Sequence, residues 1–190
     1  MTTQTSSNDV LIRVQPTPNP NAWKFVLDRP VLLDGKATFS NADEAYGNRL
    51  ALDLLALDGV KQVHFFQNVI TITARFDADP DQIQREVCSV IQTRLPVHNP
   101  ALGVQESRAA KRAELPPEIQ KIEEILDRTV RPGLQGDGGD LEVVKYEDNK
   151  LYVNYQGACG TCPSATTGTL MAIESILRDE FNPQIEVIPI

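Results

Sequence analysis

Two cysteines three positions apart, Cys159 and Cys162, lie in the stretch "GACGTCPSATTG" at residues 157–168. That spacing lets both sulfurs face one point, and Gly160 between them puts little steric limit on the turn. Pro163 suits the first turn of a helix, where its missing N–H is no loss. The free N–H groups and dipole of such a helix stabilise thiolates, lowering their pKa and favouring an anionic ligand set. Two thiolates are half of a four-ligand site, so the question is what completes it.

Three chemistries compete for the pair. A CGxC sequence before a helix also suits a thioredoxin-like thiol-disulfide oxidoreductase, but that fold needs further strands and a helix downstream. Only residues 182–190 follow the expected helix, and Ala158, not an aromatic residue, precedes the pair. A structural zinc needs four ligands. The chain offers Cys88, His64 and His98 besides the pair, all in the other half and none at paired spacing. Cys88 is expected to pack as a small hydrophobe beside the apolar stripe of its helix. His64 is expected to be a structural or surface residue of a strand. The third chemistry is an iron–sulfur cluster, which wants about four thiolates. A two-fold dimer supplies two CxxC pairs from one surface patch. A cluster at a subunit seam is held by few contacts and can be passed on, which points to a carrier rather than an enzyme.

Composition narrows the setting. The 190 residues suit one large domain or two small ones, and 41% hydrophobic with 23% charged residues is ordinary for a globular protein. The formal net charge is −8; residues 1–115 carry 12 Lys/Arg against 13 Asp/Glu, and residues 116–190 carry 6 against 13. The acidity is therefore concentrated in the half with the cysteine pair. Such a surface repels phosphate backbones, so no nucleic-acid partner is expected. No segment reaches the ~20 apolar residues that span a membrane. The first nine residues, "MTTQTSSND", are polar without Lys or Arg, so a cytoplasmic location is expected. In a reducing compartment a CxxC reads as a metal or redox site, not part of a disulfide framework.

The elements that must position the pair can be read from periodicity. "VLIRVQ" and "AWKFVL" alternate as strands around "PTPNPN", a rigid turn by its prolines, with a partner-docking peptide as the second reading. A helix is expected from the cap Asn41 with Glu44 closing its box, placing Tyr46, Leu50, Leu54 and Leu57 on one face up to Gly59. "VKQVHFF" and "VITITAR" form a hairpin through Gln67-Asn68. A second helix starts at Asp79-Pro80 and buries Ile83, Val87, Val90 and Ile91. In the second half a helix carries Ile119, Ile122, Leu126 and Val130 and stops at Pro132-Gly133. A loop "LQGDGGD" then leads to strands "LEVVKY" and "LYVNY". The cysteine loop, a helix from about Ser164 to Phe181 with Leu170, Ile173, Leu177 and Phe181 inward, and the strand "IEVIPI" complete the chain.

The predicted fold class is α+β in two small domains. The N-terminal one runs strands–helix–hairpin–helix, and the C-terminal one runs α-β-β-α-β with the CxxC loop before its second helix. The expected boundaries are a disordered terminus at 1–9, an N-terminal domain at 10–96, a linker at 97–115 and the cluster-binding domain at 116–190. In "GLQGDGGD" a phosphate loop is excluded, because it lacks the Lys-Ser/Thr pair and carries Asp137 and Asp140. A tight connection needing positive φ is expected there, with Gly138 letting backbone approach the cysteine loop.

These residues resemble one family, the NifU-like (Nfu) iron–sulfur cluster scaffold and carrier proteins. "VRPGLQGDGGDLEVV", "GACGTCPSA", "TLMAIESIL" and "IEVIPI" carry the likeness in the C-terminal half, and "QPTPNPNAWKF" and "GVKQVHFFQNVITIT" in the N-terminal half. The resemblance implies that Cys159 and Cys162 ligate a cluster, commonly [4Fe–4S], that bridges a homodimer. It implies delivery to apo iron–sulfur proteins and supply from upstream cluster-assembly machinery, and assigns no residue an enzymatic role. A [2Fe–2S] cluster can use the same four thiolates. One departure stands out: members often carry a Lys and a Gly before Ile-Glu, where this chain has Met171 and Ala172.

Overall fold

A computed structural model describes residues 9–101, 115–159 and 163–190, with side chains left aside from 163 to 167. The class is the expected α+β, with two sheets and five α-helices among the described residues. The expected disordered terminus (apart from Asp9) and most of the expected linker lie outside the described residues.

In the N-terminal half, strands β1 (Ile12–Pro16), β2 (Ala22–Leu27), β3 (Lys36–Phe39), β4 (Val60–Phe66) and β5 (Val69–Ala74) form an antiparallel sheet in the order β1-β2-β5-β4-β3. Helices α1 (Arg49–Leu55) and α2 (Pro80–Arg94) bury Leu50, Leu54, Ile83, Val87 and Ile91 with Phe25, Phe65, Ile70 and Ile72 of the sheet. Asp79 caps α2 as expected, accepting bonds from the amides of Asp81 and Gln82 at 2.9 and 3.2 Å. Val90 is only half-buried there.

The first helix differs from expectation. Asn41 and Glu44 do bond each other, with Glu44 N donating to Asn41 Oδ1 at 2.9 Å and Asn41 Nδ2 donating to Glu44 Oε1 at 2.7 Å, but they close a turn. The helix itself starts later, capped by Asn48, whose side chain accepts from Ala51 N at 3.1 Å. Gly47, at φ +83°, interrupts the path between the two. Tyr46 is consequently exposed and not part of the apolar face.

In the C-terminal half, α3 (Pro117–Thr129) is followed by a short helix α4 (Arg131–Gly136), then β6 (Gly139–Glu147), β7 (Lys150–Gly157), α5 (Pro163–Glu180) and β8 (Glu186–Pro189). Pro132-Gly133 therefore does not stop helical structure; it opens a new turn of it, with Pro132 tolerated in the first turn. The hairpin β6–β7 turns at Asp148 and Asn149, both at positive φ, as a two-residue turn of primed type requires. β8 returns parallel to β7 after α5, completing the order β6-β7-β8. Ile122, Leu126, Leu141, Leu151, Val153, Ile173, Leu177 and Ile185 are wholly buried between the helices and the sheet. Leu170 and Phe181 pack only partly against this core.

The alternation of β5 sends Ile70 and Ile72 toward the helices and Thr71 and Thr73 to the opposite face. An antiparallel sheet commonly leaves such a polar face in water. Here Thr71 and Thr73, with His64 of β4, are 1%, 0% and 1% exposed, because the C-terminal half packs over them.

His98 ends a 3-10 turn (Leu95–Val97) that prolongs α2. Its Nε2 bonds the Val31 carbonyl at 2.8 Å, and its ring meets Phe65 edge-on. Burial lowers its pKa, with the Val31 bond working against that shift. The unfolded chain, with an imidazole near 6.5, then takes up the proton first. The contribution of neutral His98 is complete above about pH 6.5 and is lost as pH falls through the lowered folded value. Urea unfolding at pH 7 and pH 5 should show a drop in stability that His98→Gln reduces.

Candidate functional site

Cys159 is reached from β7 through Gly157 and Ala158, and it is buried, at 6% exposure. A glycine at the start of β6 makes room for its sulfur. Gly139 opens β6 directly opposite Gly157, the last residue of β7. A Cβ at Gly139 would lie 2.4 Å from the Cys159 Sγ and 2.9 Å from the Gln156 carbonyl, so the thiol packs on bare backbone. Gly157 takes φ +65°, and a Cβ there would come within 2.5 Å of the Gly138 carbonyl and 3.2 Å of the His64 ring. The Ala158 amide donates to the Gly138 carbonyl at 3.1 Å, which ties the cysteine loop to the glycine run.

The expectation for Gly138 holds in part. It has the positive φ, +82°, and its carbonyl meets the cysteine loop. Space beside its Cα, however, is filled by Lys24 and Thr71 from the N-terminal half; the glycine under the thiol is Gly139.

Cys162, with Gly160 and Thr161, lies outside the described residues. The helix expected after the pair is present as α5, beginning at Pro163. Cys88 is half-buried on α2 against the N-terminal core, and burial pushes its thiol pKa up, as suits a packing residue. His98 and Phe65 are on the helix side of the sheet, whereas His64 occupies the opposite face, its Nδ1 2.9 Å from the Thr38 hydroxyl. The three extra candidates for zinc are thus divided between two faces. Among the described residues no group of three or more His, Cys, Asp or Glu is placed to hold a metal ion.

Tyr155, two residues before Gly157, is buried in the same cluster as Cys159, and its hydroxyl has no hydrogen-bond partner among the described residues. Burial first, and the nearby Cys159 second, push its pKa up to about 12. The phenol therefore stays protonated at neutral pH and keeps its donor.

Sequence reasoning missed the ring of N-terminal residues around this loop. Asn19, from the proline-rich turn, donates its Nδ2 to the Ala158 carbonyl at 2.9 Å. The Gly157 amide donates to Gln62 Oε1 at 2.9 Å, and Thr73 Oγ1 donates to the Gly157 carbonyl at 3.4 Å. Lys36 Nζ donates to the Leu141 carbonyl at 2.8 Å and pairs with Asp140 Oδ2 at 3.2 Å, while Lys24 Nζ donates to the Gly136 carbonyl. "PTPNPN" is accordingly both a rigid turn and a contact to the site. The available signal was the density of polar side chains on one face of "VKQVHFF" and "VITITAR", which has no reading until a partner for that face is known.

The glycine under the thiol yields a test. Gly139→Ala should destabilise the chain by about 1–3 kcal/mol in chemical denaturation, since the added methyl overlaps Cys159 and backbone. Gly136→Ala, on α4 with nothing within 4 Å of the added Cβ, should be neutral or slightly stabilising.

Comparison with known proteins agrees with this geometry. Residues 122–188 match the NifU-like domain, and residues 12–97 match the family described as scaffold protein Nfu/NifU N terminal. The chain is 30% identical over 183 residues to the mitochondrial NFU1 iron-sulfur cluster scaffold homolog of Homo sapiens, covering 93% of this chain and 70% of that protein. It is 33% identical over 182 residues to the counterpart from Drosophila sechellia, and 30% identical over 174 residues to NifU-like protein 4, mitochondrial, of Arabidopsis thaliana. The matches cover 93% and 88% of this chain, which spans 63% and 62% of those two relatives. All three relatives are mitochondrial, which overturns the expected cytoplasmic location; that expectation rested only on the composition of the first nine residues. With both halves matched in order, and the match running along most of its length, the chain belongs to the NifU/Nfu family.

Proposed function

We propose that this protein is an iron–sulfur cluster scaffold and carrier in which Cys159 and Cys162 of two copies supply four thiolates to one shared cluster. The observation that carries the reading is the setting of Cys159. It is a single described thiol on a glycine cradle at a strand end, just ahead of the N-terminus of α5, in a chain whose other cysteine outside the pair, Cys88, packs on a different core. The family membership and the scaffold relatives support the same role.

On this reading the cluster is cargo, commonly [4Fe–4S], with [2Fe–2S] compatible with the same ligand set. The chain's residues do three things. The thiolates bind iron, favoured by the amide groups and dipole at the start of α5. Gly139 leaves space for the Cys159 sulfur where a side chain would stand. Transfer is ligand exchange: an acceptor thiolate forms an iron–sulfur bond as the bond to Cys159 or Cys162 breaks, and the released thiolate takes a proton from water. The iron and sulfide oxidation states are unchanged in that step. No residue acts as a catalyst. The proposed partners are a second copy through the cysteine face, apo iron–sulfur proteins as acceptors and cluster-assembly machinery as donor. The division into an N-terminal domain at 10–96, a linker at 97–115 and a cluster-binding domain at 116–190 belongs to the same proposal.

Anaerobic reconstitution with ferrous iron and sulfide, followed by metal and sulfide analysis and size measurement, tests the reading. A [4Fe–4S] cluster shared by two chains gives about two irons per chain and cluster-dependent dimerisation. Cys159→Ala or Cys162→Ala should abolish both, and Cys88→Ala should leave both intact. A chain that stays monomeric, binds no iron and turns over disulfides would sink the proposal in favour of a thiol oxidoreductase. Zinc in place of iron and sulfide would favour a metal-bridged structural dimer.

A further inference from the structure

The two residues before Cys159 are fastened chiefly from the other half of the chain. Gly157 and Ala158 are both buried, so their four peptide N–H and C=O groups cannot turn to water and need partners. The Ala158 amide is met from the C-terminal half, by the Gly138 carbonyl at 3.1 Å. The other three groups are met by side chains of the N-terminal half. Gln62 Oε1 accepts from the Gly157 amide at 2.9 Å, and Thr73 Oγ1 donates to the Gly157 carbonyl at 3.4 Å. Asn19 Nδ2 donates to the Ala158 carbonyl at 2.9 Å.

We infer that Asn19, with Gln62, is a positioning residue for the cluster ligand Cys159: from the N-terminal half it fixes the peptide that carries the cysteine, and so sets how long a bound cluster is retained. This role rests on the shared-cluster reading above. A peptide unit is planar, so the Ala158 carbonyl and the Cys159 amide can only turn together. The bond from Asn19 to that carbonyl therefore orients the backbone from which the Cys159 Sγ is set against Gly139. Gln62 does the same one residue earlier. Gly157 holds φ +65°, and a glycine leaves any one conformation more readily than other residues unless its peptide groups are held. The groups that orient a metal ligand govern metal affinity nearly as much as the ligand itself.

Asn19 is itself prepared for the task. It is 1% exposed and stands between Pro18 and Pro20, whose rings fix φ on either side of it. Its Oδ1 accepts from the Asn21 amide at 3.0 Å, its own amide donates to Thr17 Oγ1 at 3.1 Å, and its carbonyl accepts from the same hydroxyl at 2.9 Å. The side chain is locked before it meets Ala158, as a group that must hold another in place requires. The proline-rich turn thus acts on the cysteine from within the same chain.

The test loads the full chain anaerobically with ferrous iron and sulfide, then follows loss of iron to a chelator, beside thermal unfolding of each form before loading. Asn19→Asp keeps the oxygen that accepts from Asn21 but sets a second oxygen against the Ala158 carbonyl. It should release iron about tenfold faster than wild type. Gln62→Glu adds the same charge yet keeps an oxygen for the Gly157 amide, and should release iron at the wild-type rate. Gln62→Leu removes that oxygen and should release iron about as fast as Asn19→Asp. Ile70→Val, in the N-terminal core on the helix side of the sheet, should lower stability without changing release. Wild-type release from Asn19→Asp, equal release from the two Gln62 variants, or release that simply follows the melting temperature overturns the positioning role and leaves the scaffold reading intact. Should Asn19→Asp fail to fold, the two Gln62 variants decide. A wild-type chain that takes up no iron and sulfide overturns the scaffold reading and the positioning role with it.

Discussion

Asp140 is wholly buried, with cationic side chains from both halves at its carboxyl group. An ionised carboxylate taken out of solvent costs several kcal/mol unless cations and hydrogen-bond donors replace the hydration. Here Arg131 Nε stands 3.4 Å from one oxygen, Lys36 Nζ 3.2 Å from the other, and the Leu141 amide donates at 2.7 Å. Arg131 is itself buried between Glu123 and Asp127 of α3, whose carboxylates, with that of Asp140, outweigh the effect of burial and hold the guanidinium pKa above its ordinary value. The short helix α4, the first residues of β6 and the edge of the N-terminal sheet are all fastened to this one ionic group. The residue after Gly139 is therefore fixed, and with it the backbone on which Cys159 rests.

From that anchor the arrangement of the site follows by exclusion of side chains. Gly138, Gly139 and Gly157 bring two backbone segments, the start of β6 and the end of β7, and the side chains around them closer than a Cβ would permit. One side of this junction accepts the thiol, and the other accepts His64, Thr71 and Lys24. The same absence of side chains thus serves two approaches, and a substitution at any of the three glycines meets a different obstacle. That is a stricter condition than a turn alone imposes, because Gly139 does not need positive φ; it needs space.

Much of this was legible before the fold was known. α2 follows its Asp79-Pro80 start, α5 its proline after the cysteines, and Ile173, Leu177, Ile122 and Leu126 fall inward at helical spacing. Local capping and periodicity suffice where one strong start signal coincides with one apolar stripe. They fail at Asn41, where Asn41 and Glu44 bond each other across a turn and a second asparagine, Asn48, starts the helix. They fail again at Pro132-Gly133, where a proline permitted in a first turn looks like a terminator. In both places two local signals conflict, and burial of Leu50 and Leu54 in one case, and of Arg131 and Leu134 in the other, decides between them.

The amino-acid sequence by itself determined the class of fold, the position of the cysteine pair before a helix, and the incompleteness of a ligand set confined to one chain, because these depend on residue type and spacing along a few turns. Only the tertiary structure decided where the polar face of the N-terminal sheet goes. Alternation assigns Thr71, Thr73 and His64 to one side of a sheet but says nothing of what stands opposite, and a contact such as Asn19 to Ala158 joins residues 139 positions apart. Long-range polar pairing of this kind leaves no periodic trace; it exists only when charges, carbonyls and bare glycine backbone from both halves arrive at the same place.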